Sequence, residues 1–68
     1  MNIETIHESL VNGNRKQMVN QIDEYGLYDF WARYRDYLNE LYTETGSIPE
    51  TMEYFQDAVI SYHRIKNR

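Results

Sequence analysis

Apolar residues recur every three or four positions along most of the chain, which is typical of amphipathic α-helices. The repeat is strongest in segment 28–43, where the apolar side chains fall on one side of a helical wheel. Four segments follow this period: 3–11, 15–25, 28–43 and 48–66. The pattern predicts an all-α fold, a compact three- to four-helix bundle made by one domain of residues 1–68. The predicted core is Phe30, Trp31, Leu38, Phe55 and Val59.

Residues that favour helix ends lie between these segments. Asn2 is suited to cap the first helix, and Asn14 to cap the second. Gly26 is suited to the C-terminal end of the second helix, and Gly46 to that of the third. The sequence 47–50, Ser-Ile-Pro-Glu, is a capping box that opens the fourth helix.

Length and charge limit the class of protein. The 68 residues contain no Cys, so neither a disulfide framework nor a cysteine-based metal site is available. Eleven acidic residues outnumber seven basic ones, for a net charge of −4, which opposes nucleic acid and favours a basic protein surface. No apolar stretch is long enough to cross a membrane, and the first residues lack the pattern of a signal peptide. We therefore expect a soluble, cytoplasmic protein.

Residues with catalytic or metal-binding chemistry are few. His7 and His63 are the two histidines of the chain, and they lie too far apart in sequence to form an H-x-x-x-H pair of metal ligands on one helix. We interpret His7 as flanking the core and His63 as lying at the edge of the fourth helix. The carboxylates fall on polar helix faces, and no serine lies in a nucleophile motif. The sequence therefore predicts no metal, no cofactor and no enzymatic activity.

The aromatic residues are the most informative part of the composition. Segment 25–42 holds seven of them, and five of the seven are tyrosines. A bundle core accounts for Phe30, Trp31 and Tyr34, but not for the rest. Half-exposed tyrosine beside arginine is typical of protein-binding surfaces. The predicted protein-binding residues are Tyr25, Tyr28, Arg33, Arg35, Tyr37, Tyr42, Tyr54 and Ile60.

Two alternatives to a protein-binding module stay open. A small DNA-associated regulator would use the basic residues near the second helix and the C-terminal end, namely Arg15, Lys16, Arg64 and Lys66. Asp36 and Glu40 on the exposed face of the third helix oppose the helix-turn-helix form of that reading, because they repel phosphate. In the other alternative, an obligate homodimer with a structural role, the surplus aromatic residues form the interface between two copies.

The stretch 12–18, Asn-Gly-Asn-Arg-Lys-Gln-Met, is followed by Val19, Gln21, Ile22 and the pair Tyr25-Gly26. It resembles small uncharacterised all-helical proteins encoded by bacteriophages, which share an N-G-x-R-K-Q opening to an amphipathic helix. The resemblance covers about a quarter of the chain. It implies a protein of the host cytoplasm that acts by binding, such as an inhibitor or modulator of a host or defence protein. It assigns no functional residue.

Overall fold

Four α-helices, and no strand, make up the part of the chain that the computed structural model describes, residues 2–43 and 48–67. The helices are α1 (Ile3–Val11), α2 (Arg15–Tyr25), α3 (Leu27–Thr43) and α4 (Ile48–Lys66). The predicted all-α class is confirmed, and every helix begins and ends within one residue of the predicted bounds. Local periodicity was sufficient to find the helices because each one buries a single apolar side.

Asn2 and Asn14, which precede α1 and α2, differ in whether their side chains cap the helix that follows. Asn2 caps α1, since its side-chain Oδ1 accepts a hydrogen bond from the Thr5 backbone N–H at 2.8 Å. Asn14 is the N-cap residue of α2, as predicted, and its carbonyl accepts from the Met18 N–H at 3.0 Å, but its side chain makes no capping bond. Its side-chain amide donates to the Gln17 side chain instead. The helix stop predicted at Gly46 and the cap predicted at Ser47 lie outside the described residues.

Gly26 lets the chain pass from α2 directly into α3. Its N–H donates to the Ile22 carbonyl at 2.9 Å, and its own carbonyl accepts from the Phe30 N–H at 2.8 Å. The residue therefore ends one helix and starts the next. Its φ of 106° and ψ of 118° belong to a backbone region that residues with a Cβ rarely adopt.

Replacement of Gly26 by alanine is expected to lower the free energy of unfolding by about 1–3 kcal/mol, because alanine is strained at this φ. The nearest atom outside the adjoining residues, Asp29 Oδ2, would be 3.8 Å from the added Cβ, so crowding adds little. Urea titration followed by circular dichroism measures the loss. An unchanged midpoint would show that the chain reaches α3 without this strained conformation.

The helices form two antiparallel hairpins. In the α3–α4 hairpin, Trp31 near the start of α3 contacts Tyr62 near the end of α4, with ring centroids 6.1 Å apart. At the opposite end, the Thr51 hydroxyl of α4 donates to the Leu38 carbonyl of α3 at 3.3 Å. Helices α1 and α2 pack against each other, and α2 contacts both helices of the α3–α4 hairpin. The α1–α2 hairpin thus covers one side of the α3–α4 hairpin.

The core lies between the two hairpins and receives side chains from all four helices. Among the residues that the structure describes, its buried apolar and aromatic side chains are Ile6, Leu10, Met18, Val19, Ile22, Phe30, Tyr34, Leu38, Ala58 and Tyr62. Burial of Phe30 and Leu38 is confirmed. Trp31, Phe55 and Val59 are only half-buried, so the predicted core was displaced toward the flank of the α3–α4 hairpin. On α3, Phe30 contacts Tyr25 at the end of α2, and Tyr34 contacts His7 of α1, so the side of α3 that these two helices cover is the most deeply buried.

Candidate protein-binding surface

Three of the tyrosines predicted to meet a partner surround the imidazole of His7. The ring centroid of His7 lies 5.5 Å from that of Tyr37, 6.2 Å from that of Tyr42 and 5.2 Å from that of Tyr54, all in edge-on geometry. All three tyrosines are half-buried. Much of the aromatic surplus is therefore used inside the molecule, to enclose one polar side chain.

Both nitrogens of His7 lie within hydrogen-bond distance of tyrosine hydroxyls. Nδ1 is 2.8 Å from the Tyr34 hydroxyl oxygen, and Nε2 is 3.3 Å from that of Tyr42. His7 itself is only 6% exposed, and this burial lowers its pKa. Burial likewise raises the pKa of Tyr34, and that of Tyr37 is raised by burial and by the nearby carboxylates of α1. These shifts favour the uncharged forms of His7, Tyr34 and Tyr37 at neutral pH.

An apolar groove lies on the outer side of the α3–α4 hairpin. We call it the α3–α4 groove; its volume is about 270 Å³, and it is lined by Arg35, Asn39, Thr51, Met52, Phe55 and Gln56. Met52 is 59% exposed. Phe55 is half-buried and packs on Trp31, with ring centroids 5.7 Å apart. The sequence analysis assigned Phe55 to the core and therefore did not reveal the groove.

The two arginines predicted for the binding surface lie on different sides of α3. Arg35 lines the α3–α4 groove, whereas Arg33 lies beside Tyr37 and Ile3 of α1, on the side where Asp36 and Glu40 are found. Two residues along a helix correspond to about 200° of rotation, so neighbouring arginines cannot share a face. Of these two arginines, Arg35 is the one that lies beside the exposed apolar side chain of Met52.

The remaining predicted contact residues are also dispersed. Tyr28 is 87% exposed, and it precedes Arg35 by seven residues, which is two turns on the same face of α3. Tyr25 is half-buried against Phe30, with ring centroids 6.4 Å apart. Ile60 is 52% exposed on another side of α4 from the α3–α4 groove. Tyr28 therefore extends the face that carries the groove, whereas Tyr25 and Ile60 lie apart from it.

The basic residues of the DNA-binding alternative are partly neutralised by carboxylates. Arg15 Nη2 lies 3.0 Å from Asp57 Oδ2 of α4, and Lys66 Nζ lies 2.7 Å from Asp23 Oδ2 of α2. The hydrogen bonds from Lys66 and from the Tyr62 hydroxyl lower the pKa of Asp23, which keeps this carboxylate charged.

Arg15 and Arg64 line a common groove of about 460 Å³, which also contains Ile60. Asp57 belongs to the same groove and offsets part of its positive charge, and Lys16 is exposed on α2. A phosphate approaching this side would therefore meet a carboxylate as well as the two arginines. This geometry does not favour nucleic acid over a protein partner.

Neither a membrane-spanning helix nor a cluster of metal ligands is found in the described ranges 2–43 and 48–67. None of their helices has the length and apolar character needed to span a membrane. No three His, Asp or Glu side chains in those ranges come together as a metal site requires. Comparison of the chain with protein-family models, with curated proteins and with solved structures finds no match.

Proposed function

We propose that this protein is a non-enzymatic protein-binding module whose α3–α4 groove receives part of its partner. The observation that carries the proposal is that the exposed Met52 and the half-buried Phe55 lie beside Arg35 in one groove. Methionine adapts its shape to an apolar surface, and aromatic and arginine side chains contribute most of the energy at protein interfaces. Tyr28 extends this face with a further exposed ring.

The charge of the α3–α4 groove points to the chemistry of the partner. Arg35 is the charged residue among the described residues that line it, and none of those residues is acidic. A guanidinium beside a partly desolvated apolar surface binds carboxylates well, because it donates two parallel hydrogen bonds. The expected partner is a protein segment with an apolar side chain for Met52 and Phe55 and an Asp or Glu for Arg35.

The resemblance to bacteriophage proteins extends this proposal to a biological role. It implies a host or defence protein as the partner, and the protein would inhibit or modulate that partner by covering part of its surface. Such a role needs no catalytic group. It requires only a stable scaffold that holds the α3–α4 groove in one shape, which the His7 cluster and the core supply.

Affinity capture from host lysate, with variants matched in chemistry and in exposure, tests the proposal. Met52→Glu places a charge in the α3–α4 groove, and Ile60→Glu places the same charge at an exposed apolar residue elsewhere on α4. Arg35→Glu and Arg33→Glu form a second pair on α3. We expect Met52→Glu and Arg35→Glu to lower recovery of the partner by about tenfold or more, as at interface hot spots.

The two control variants should retain the partner, and circular dichroism should show that all four variants are folded. Equal recovery by Met52→Glu and Ile60→Glu would reject the α3–α4 groove as the binding site. Sedimentation at micromolar concentration separates the homodimer alternative from this proposal. A dimer that Met52→Glu dissociates would assign the groove to a second copy of the chain and would contradict the proposed partner.

A further inference from the structure

The imidazole of His7 joins α1 to both helices of the α3–α4 hairpin. From α3, the hydroxyls of Tyr34 and Tyr42 reach its two nitrogens, and the ring of Tyr37 packs against its edge. From α4, the ring of Tyr54 packs nearly perpendicular to it, at an interplanar angle of 89°. One titratable side chain thus lies at the junction of three helices.

The hydrogen bonds around His7 suit its neutral form. A neutral imidazole has one N–H that donates and one nitrogen that accepts, so one tyrosine hydroxyl accepts while the other donates. Protonation makes both nitrogens donors, and the hydroxyl that previously donated must turn its proton away. The Tyr34 hydroxyl belongs to a side chain that is 1% exposed, and buried hydroxyls are costly to leave without a partner.

Among the residues whose side chains the structure describes, the groups that face His7 provide little compensation for a positive charge. Those from α3 and α4 are the phenols named above, and burial of Tyr34 and Tyr37 raises their pKa, so both stay uncharged. On α1 itself, the carboxylates of Glu4 and Glu8 act on the neighbouring Tyr37, but both side chains are exposed, so water and salt screen their charges. Asp57 of α4 is paired with Arg15. From α2, the uncharged Gln21 accepts a hydrogen bond from Ser9, the second residue after His7, at 2.7 Å.

We propose that His7 is a proton-sensitive latch, which holds α1 on the α3–α4 hairpin when neutral and releases α1 when protonated. Release exposes the imidazole to water, where its charge is solvated, so acid favours the open form. The other helices are tied together without α1, through Arg15 with Asp57 and through Asp23 with Tyr62 and Lys66. None of the four tyrosines around His7 lines the α3–α4 groove, so the latch would operate whether or not that groove binds a partner.

The direction of the pH dependence follows from proton linkage. The closed form binds a proton at His7 less readily than the open form does, because burial lowers the pKa from its ordinary value of 6.5. The contribution of His7 to closure is therefore complete above about pH 6.5 and declines as the pH falls below it. The equilibrium constant for opening should rise by up to about tenfold per pH unit in that window.

Nuclear magnetic resonance of the intact chain between pH 7.5 and pH 5 tests the latch. The carbon-bound imidazole protons of His7 should titrate below pH 6.5. Amide protection factors in α1 should be smaller than those in α3 at every pH and should fall by up to about tenfold per unit below 6.5. Equal protection in α1 and α3 throughout would mean that α1 opens only by global unfolding, and that result would overturn the proposal.

Matched histidine variants identify the responsible group. His7→Gln cannot take up a proton and should remove the acid-dependent opening of α1, whereas His63→Gln, at an exposed histidine of α4, should leave it intact. Acid-dependent opening that persists in His7→Gln would overturn the assignment. Where His7→Gln fails to fold, the wild-type titration decides, because a His7 midpoint at or above 6.5 contradicts the latch.

Discussion

Replacing Phe30 with alanine is expected to abolish the cooperative thermal transition of the protein. Phe30 is fully buried in the core, with its ring stacked on Tyr34 at a centroid distance of 4.9 Å. Truncating such a side chain costs about 3–5 kcal/mol, since the cavity that remains closes only in part. A domain of this size has a net stability of about 3–5 kcal/mol, so the variant retains little or none. Circular dichroism at 222 nm against temperature measures the result.

Trp31→Ala is the matched comparison, because Trp31 adjoins Phe30 and carries a larger ring. Its side chain is half-buried on the flank of the α3–α4 hairpin, so a smaller share of its apolar surface is buried, and truncation removes less of the stabilisation that burial provides. We expect this variant to melt cooperatively at a lower temperature than the wild type. The opposite ranking, with Trp31→Ala unfolded and Phe30→Ala folded, would contradict the position of the core.

Replacing Tyr34 with alanine is expected to destabilise the protein by about 3–5 kcal/mol. The Tyr34 ring stacks on Phe30 and on Phe55, and its hydroxyl bonds the buried His7. The truncation therefore removes core packing and a hydrogen bond together. Urea titration of the wild type and of a set of Tyr34 variants separates these two contributions.

Tyr34→Phe keeps the ring and removes only the hydroxyl. It should cost about 1–3 kcal/mol, because His7 Nδ1 loses its partner while buried. The control is Tyr28→Ala, which truncates a tyrosine of the same helix that is 87% exposed and should change stability by no more than about 0.5 kcal/mol. If Tyr34→Phe were as stable as the wild type, the hydrogen bond to His7 would have no structural role.

The residues of the candidate site were harder to predict from the sequence than the helices were. The pattern correctly drew attention to Tyr28 and Arg35 as exposed residues of α3, but it grouped Arg35 with Arg33, which faces α1. It also took Phe55 for a core residue, although Phe55 is half-buried and lines the α3–α4 groove. A helical wheel shows which side of one helix is apolar. It does not show how much of that side the other helices cover.

His7 shows the same limit for a polar residue. Its position beside the apolar side of α1 indicated that it flanks the core, and the structure places it inside. The signal that could have revealed its role was the tyrosine surplus, because phenols are the aromatic side chains that also satisfy a buried imidazole. That signal was ambiguous, since half-exposed tyrosines at a binding surface have the same composition.

The sequence by itself determined the all-α class and the position of every helix, because helix formation depends on neighbours three and four residues apart and on end-capping residues. Only the tertiary structure decided which aromatic side chains enclose His7 and which of them pack on the flank of the α3–α4 hairpin instead. Those outcomes depend on contacts between residues distant in the chain, such as His7 with Tyr42 and Trp31 with Phe55. Such contacts follow from the crossing of the helices, which no local pattern encodes.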